Sequence, residues 1–135
     1  MEKVNFSSNN LAKLDVSKGE NITELYIQNN RLEEIDLLQN KKIEILDCTD
    51  NPLRYIKGYV PLSAGKDFLI LEAGKGGSVG LKYNPQEGQQ YFAYPDDEHD
   101  FDGWYNILGD RISREIIWTD SYGTGREMFA MFREK

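Results

Sequence analysis

From Val4 to Ile56 the chain repeats itself every 21 residues, and this limits the possible folds more than any other feature. The first copy is Val4-Asn5-Phe6-Ser7-Ser8-Asn9-Asn10-Leu11. The second is Leu25-Tyr26-Ile27-Gln28-Asn29-Asn30-Arg31-Leu32, and the third is Leu46-Asp47-Cys48-Thr49-Asp50-Asn51-Pro52-Leu53. Each reads apolar-x-apolar-x-x-Asn-x-Leu. Asn9, Asn30 and Asn51 share one column; Leu11, Leu32 and Leu53 share another. Met1, Ile22 and Ile43 add an apolar residue three positions before each motif, and Leu14, Ile35 and Ile56 add one three positions after it. Such a fixed period marks units that cannot bury their apolar face alone and do so by stacking.

The pattern sets the local geometry. Two apolar residues spaced by one face the same side of a short strand. The Asn falls where the chain leaves the strand and turns inward. A turn buried between neighbouring copies must find partners for its backbone N–H and C=O groups. An Asn side chain offers both donors and an acceptor, so Asn9, Asn30 and Asn51 are expected to form a ladder bridging one copy to the next. The return arcs, such as Leu14-Asp15-Val16-Ser17-Lys18 over Ile35-Asp36-Leu37-Leu38-Gln39, are short. They leave little room for a long helix, so 3₁₀ turns or irregular chain are expected there. Gly19 breaks the pattern, because Asn40 holds its column in the next copy.

These residues resemble the 21-residue leucine-rich repeats of bacterial surface proteins and are similar to internalin repeats. The resemblance covers residues 1 to about 57. It implies a short solenoid whose exposed strand face is concave and serves as the ligand face. The outward columns are Lys3-Glu24-Ile45, Asn5-Tyr26-Asp47 and Ser7-Gln28-Thr49. The candidate binding residues are therefore Glu24, Tyr26, Gln28, Ile45, Asp47 and Thr49. Tyr26 and Ile45 are the most suggestive of an anchoring role, since aromatic and apolar groups among polar neighbours anchor partners at little entropic cost.

The pattern stops after Ile56. A fourth copy would place Asn at position 72 and Leu at position 74, where the chain has Glu72 and Gly74. Beyond a junction punctuated by Pro61 and Gly65, the periodicity is that of short strands. These are Phe68–Leu71, Ser78–Tyr83, Gln89–Tyr94, Ile112–Thr119 and Met128–Phe132, with a turn at Ser121-Tyr122-Gly123-Thr124-Gly125. The expected core residues are Phe92, Phe101, Trp104, Ile117, Phe129 and Phe132. Gly76-Gly77-Ser78-Val79, Phe101-Asp102-Gly103-Trp104-Tyr105, Gly109-Asp110-Arg111-Ile112-Ser113 and Phe129-Ala130-Met131-Phe132 occur in that order. This order is similar to the internalin-type B-repeat family, which implies a small β-grasp-like module used as a surface spacer or in adhesion. The expected fold is thus mainly β: a leucine-rich repeat solenoid at residues 1–57, capped by an antiparallel β domain at 58–135.

Composition narrows the function. The net charge of −7 argues against a nucleic-acid groove, which needs a clustered basic face. No apolar run approaches the ~20 residues of a membrane span. The lone Cys48 excludes an internal disulfide and reads as a small buried apolar residue. His99 has no second His or Cys with which to build a zinc site. Glu98, Asp100 and Asp102, followed by Gly103, approximate the start of a calcium loop. However, the twelfth position is Gly109 rather than a bidentate Glu, so a solvated acidic turn is the simpler reading. No cofactor is implied, nor any catalytic constellation.

The chain is therefore expected to be a noncatalytic, monomeric cell-surface module that binds a protein or glycan. The alternative is a structural spacer within a larger surface protein. Met1 falls on the first apolar column with no cap sequence before it. That favours a chain cut from a longer one, with any export signal upstream or removed.

Overall fold

The computed structural model describes residues 2–62, 65–120 and 127–135; for 59–62 and 65–68 it describes the backbone alone. Met1 and the turn expected at Ser121–Gly125 lie outside the described residues. Twelve strands follow one another: β1 (Glu2–Asn5), β2 (Ile22–Tyr26), β3 (Glu34–Asp36), β4 (Ile45–Asp47), β5 (Tyr55–Leu62), β6 (Gly65–Ala73), β7 (Gly77–Asn84), β8 (Gly88–Pro95), β9 (His99–Tyr105), β10 (Arg111–Ser113), β11 (Ile117–Thr119) and β12 (Glu127–Glu134). The chain is mainly β, with no helix among the described residues.

The strands form two six-stranded mixed sheets, in the orders β1-β2-β4-β7-β8-β11 and β10-β9-β12-β6-β5-β3. The repeat copies open both sheets. In the first, Val4 lies beside Leu25 and Leu25 beside Leu46, all parallel. In the second, Ile35 lies beside Ile56, also parallel. The return arcs were expected to be 3₁₀ or irregular, but β3 and the start of β5 are extended instead. Glu34-Ile35-Asp36 alternates exposed, buried, exposed, so its period is that of a strand and its neighbour supplies the ladder.

The expected solenoid, with the second half packed on its last coil as a cap, does not form. The next strand after β4 is β7, running antiparallel, and the next after β5 is β6. A strand at the end of a stack presents unpaired N–H and C=O groups, and these antiparallel partners take them up. Both sheets therefore run directly from the repeat into the second half, and the expected boundary at 57/58 falls inside β5. In the second half β6 and β12 pair parallel.

One core cluster draws on both sheets, from Leu25, Ile27 and Leu46 to Tyr91, Trp104 and Ala130. Trp104 is fully buried, as expected, whereas Ile117 is 51% exposed. Phe92, Phe101, Phe129 and Phe132 are only half-buried. The inward positions are Gln89, Tyr91 and Ala93 on β8, and Met128 and Ala130 on β12. Tyr91-Phe92-Ala93-Tyr94 and Met128-Phe129-Ala130-Met131-Phe132 are apolar at almost every position. Alternation alone therefore cannot say which set faces inward.

Cys48 is buried as expected, and burial pushes its thiol up to about 12. Tyr83 and Tyr91 are likewise raised by burial. For these groups the folded state favours the neutral form. Their stabilisation is complete below the unfolded-state values and is lost as pH rises through the window between unfolded and folded values. The melting temperature should accordingly fall as pH is raised above about 9, where the unfolded thiol ionises first. Cys48→Ala should flatten the first part of that fall, as a thermal melt series from pH 8 to 11 would show.

Candidate functional site

The Asn column forms two buried rungs rather than three. Asn30 Oδ1 accepts the N–H of Asn9 (3.0 Å) and of Leu11 (2.9 Å) from the preceding copy, while its Nδ2 donates to the carbonyls of Phe6 (2.9 Å) and Ile27 (3.0 Å). Asn51 repeats the arrangement: Oδ1 accepts the N–H of Leu32 (3.1 Å), and Nδ2 donates to Ile27 (3.0 Å) and Thr49 (3.1 Å). Asn9 is not a rung. It is exposed, and its amide only closes its own turn on the carbonyl of Phe6. The residue before each Asn (Ser8, Asn29 and Asp50) adopts a left-handed conformation, with φ of 59°, 58° and 55°. Ser8, Asn29 and Asp50 are short polar residues, and Asn and Asp tolerate that region better than most. A second Asn contact joins the arcs, where Asn40 Nδ2 donates to Val16 (2.8 Å) and Gly19 (3.0 Å). At Gly19, which departs from the column, a Cβ would run into the Ile22 side chain.

These turns hold the strands at a fixed register, and the outward side chains fall into rows. The pairings align Asn5, Tyr26, Asp47, Lys82, Gln90 and Thr119 in one line across all six strands of the first sheet. Beside it, Gly80, Phe92 and Ile117 align, with Thr49 against Gly80. Sequence reasoning named only the repeat-derived half of this face. Lys82, Gln90, Phe92 and Tyr94 belong to it as well. The signal for them was the alternation in Ser78–Tyr83 and Gln89–Tyr94, which was read for strands but not joined to the repeat.

Tyr26 Oη donates to Glu24 Oε1 (2.8 Å), which raises the phenol's pKa, and Lys3 Nζ lies 5.4 Å above the Tyr26 ring. Asp47 Oδ1 accepts from the Thr49 N–H (3.1 Å) and hydroxyl (2.6 Å), so one carboxylate oxygen holds the turn. Thr49 is therefore structural: it is 8% exposed and cannot present itself to a ligand. Ile45 and Gln28 are half-buried, and Gln28 Oε1 is enclosed with no hydrogen-bond partner among the described residues. Tyr94 lies over Gly80, where a Cβ would come 2.9 Å from its hydroxyl, and that hydroxyl accepts the Asp50 N–H at 3.1 Å. Burial pushes Tyr94 up to about 12. Phe92 stacks on Tyr94 with centroids 6.4 Å apart. The face thus combines aromatic rings, carboxylates, lysines and amides, which suits stacking and hydrogen bonding.

An open groove of about 1040 Å³ lies elsewhere, on the outward side of the return arcs, lined in part by Lys13, Glu34, Asp36, Arg54, Tyr55 and Lys57. Opposite charges alternate there, and Lys57 pairs with Asp36 at 3.5 Å.

The remaining candidates lie apart. His99 Nδ1 is 2.6 Å from Asp96 Oδ1, and this contact holds the Asp96 carboxyl below its usual range. Asp100 and Asp102 follow Glu98 along an extended strand, not a wrapping loop. Asp102 is engaged by Arg111 (3.4 Å) and the Tyr105 hydroxyl (3.0 Å). Among the described residues no three His, Cys, Asp or Glu side chains are grouped to hold a metal ion, and no helix is long and apolar enough to cross a membrane. Comparison of the chain with protein-family models, with curated proteins and with solved structures finds no match in any of the three.

Proposed function

We infer that the chain is a noncatalytic recognition module of a bacterial cell surface, which binds a protein or glycan through the outward face of its first sheet. The reading takes the repeat copies as the end of an internalin-like leucine-rich repeat array and the second half as a divergent B-repeat-like module that closes it. The observation that carries it is the continuous row from Asn5 through Tyr26, Asp47, Lys82 and Gln90 to Thr119. It is flanked by the Phe92–Tyr94 pair. Aromatic groups among directional polar ones, on a rigid sheet, recognise a partner without first having to be ordered. The buried, raised thiol of Cys48 and the Asp96-held His99 favour binding over nucleophilic chemistry.

The test is a binding screen of the purified chain against extracellular-matrix proteins, mucins and glycans, beside a Tyr26→Ala/Lys82→Ala variant. Neither side chain holds a turn, so the variant should keep the parent's melting temperature. A partner should bind the parent and lose at least about ten-fold in affinity in the variant, since interface anchors are worth 1.4 kcal/mol or more. Equal affinity of parent and folded variant for that partner would remove this face from consideration. The alternative reading is a structural spacer, supported by the continuity of both sheets from the repeat copies into the second half. It predicts no partner at all from a well-folded sample.

A further inference from the structure

Asp47 of β4 and Lys82 of β7 lie side by side on the outward face of the first sheet. Opposite charges placed across neighbouring strands attract each other, yet neither residue takes part in an ion pair among the described residues. Asp47 uses Oδ1 on the N–H and hydroxyl of Thr49 and leaves Oδ2 open. Lys82 Nζ and the side-chain amide of Gln90, its neighbour on β8, also have no hydrogen-bond partner among the described residues. One step along the strands, Thr49 is buried and Gly80 has no side chain. The Tyr94 ring takes that space: a Cβ on Gly80 would come 2.9 Å from its hydroxyl and 3.2 Å from its Cε2. Phe92, opposite Gly80 in register, sets its ring beside Tyr94 at a tilt of 22°. Two aromatic rings thus border a line of donors and acceptors that the protein itself leaves unsatisfied.

We propose that this part of the face takes a neutral sugar chain, one ring resting on Phe92 and Tyr94 while its hydroxyls bridge Lys82 and Asp47. This deepens the recognition-face reading and rests on it. A sugar ring has apolar C–H faces, which suit aromatic rings, and an edge of hydroxyls that each donate and accept. Two adjacent hydroxyls can accept from the Lys82 ammonium and donate to Asp47 Oδ2, and both of these bonds are charge-assisted. Gln90 offers a donor and an acceptor to the next sugar. A protein partner fits less well, because the centre of a protein interface is depleted in charged residues, and here Asp47 and Lys82 occupy it. The two charges cancel and the whole chain carries −7, which disfavours an acidic sugar. The polar row continues to Tyr26 on one side and Thr119 on the other, so a chain of sugars meets more partners than a single ring.

The test titrates the full chain with the disaccharide and hexasaccharide of β-linked glucose, of β-linked mannose and of β-linked N-acetylglucosamine. At least one hexasaccharide should bind, about ten-fold more tightly than its disaccharide. Phe92→Ala and Lys82→Ala, each confirmed as folded by circular dichroism, should each weaken it about ten-fold. Asp47→Asn keeps the oxygen that holds Thr49 but loses the charge, and should weaken binding about five-fold. Saturating the aromatic protons should transfer signal to the sugar protons in the parent, and much less in Phe92→Ala. No binding of any of these oligosaccharides by the folded chain overturns the proposal, as does binding that Phe92→Ala and Lys82→Ala leave unchanged. A protein partner that the Tyr26→Ala/Lys82→Ala variant loses, with no oligosaccharide bound, overturns the sugar but keeps the recognition face. Absence of both kinds of partner removes the face as well.

Discussion

Trp104→Ala is expected to lower the unfolding free energy by about 3–5 kcal/mol, the usual cost of emptying a fully buried large aromatic site. Trp104 is 0% exposed and joins the two sheets. It sits on β9 of the second sheet, and its ring meets Tyr91 of the first sheet at 5.6 Å and Phe101 at 5.3 Å. Its indole Nε1 donates to the carbonyl of Glu115 at 2.8 Å, fixing the segment that carries the chain from β10 to β11. Truncation therefore removes packing between the sheets and strands a carbonyl at the same time. Trp104→Phe separates the two losses. It keeps most of the apolar volume but not the donor, and should cost only about 1–2 kcal/mol. Urea unfolding followed by far-ultraviolet circular dichroism avoids the fluorescence change that the substitution itself causes. A cost below about 1 kcal/mol for Trp104→Ala would mean that the sheets do not depend on this contact.

The repeat was legible because its physics is one-dimensional. A 21-residue spacing fixes which residues stack on which, and Leu25 on Leu46 or Ile35 on Ile56 follow directly from counting. The role of Asn30 followed from the need to pair a buried turn. What the spacing could not give was the fate of the stack's far side. Whether β4 meets a further copy or an antiparallel strand depends on long-range pairing, and nothing in Leu46-Asp47-Cys48 encodes that Tyr83 and Lys82 will lie beside it. The phase of β8 and β12 was lost for a different reason. Phe92 and Tyr91 are both aromatic, so the pattern carries no preference, and the choice falls to packing against Trp104 and Trp118. The candidate face was therefore half visible. Tyr26 and Asp47 were placed by the repeat, while Lys82, Phe92 and Tyr94 needed the β4–β7 pairing to bring them beside it. Thr49 was misjudged because its column faces outward, yet its backbone lies against Gly80 and the Asp47 carboxylate takes up its hydroxyl, which leaves it buried.

Asn30→Ala is expected to cost about 2–3 kcal/mol, because it leaves two backbone N–H groups without their acceptor at about 1–3 kcal/mol each, less whatever water can repair. Asn30 is 6% exposed. Its loss frees the N–H groups of Asn9 and Leu11 from the preceding copy and takes one of two side-chain donors from each of the carbonyls of Phe6 and Ile27, which keep the amides of Asn9 and Asn51. Asn9→Ala, in the same column but at the exposed end, should cost no more than about 0.5 kcal/mol. The contrast between the two tests the ladder itself, since residue type and column are identical and only the preceding copy differs. Asn30→Asp sharpens the argument. It replaces a donor facing the carbonyls of Phe6, Ile27 and Gln28 with an acceptor, and at neutral pH buries a charge among them. The folded state would hold that carboxyl above its unfolded value. The variant should therefore be less stable than Asn30→Ala at pH 7 and recover part of the difference as pH falls toward 4, where the carboxyl is protonated and can donate again. A pH-independent gap between the two variants would show that the side chain at this position reaches water, and that the turn is held by something other than the amide.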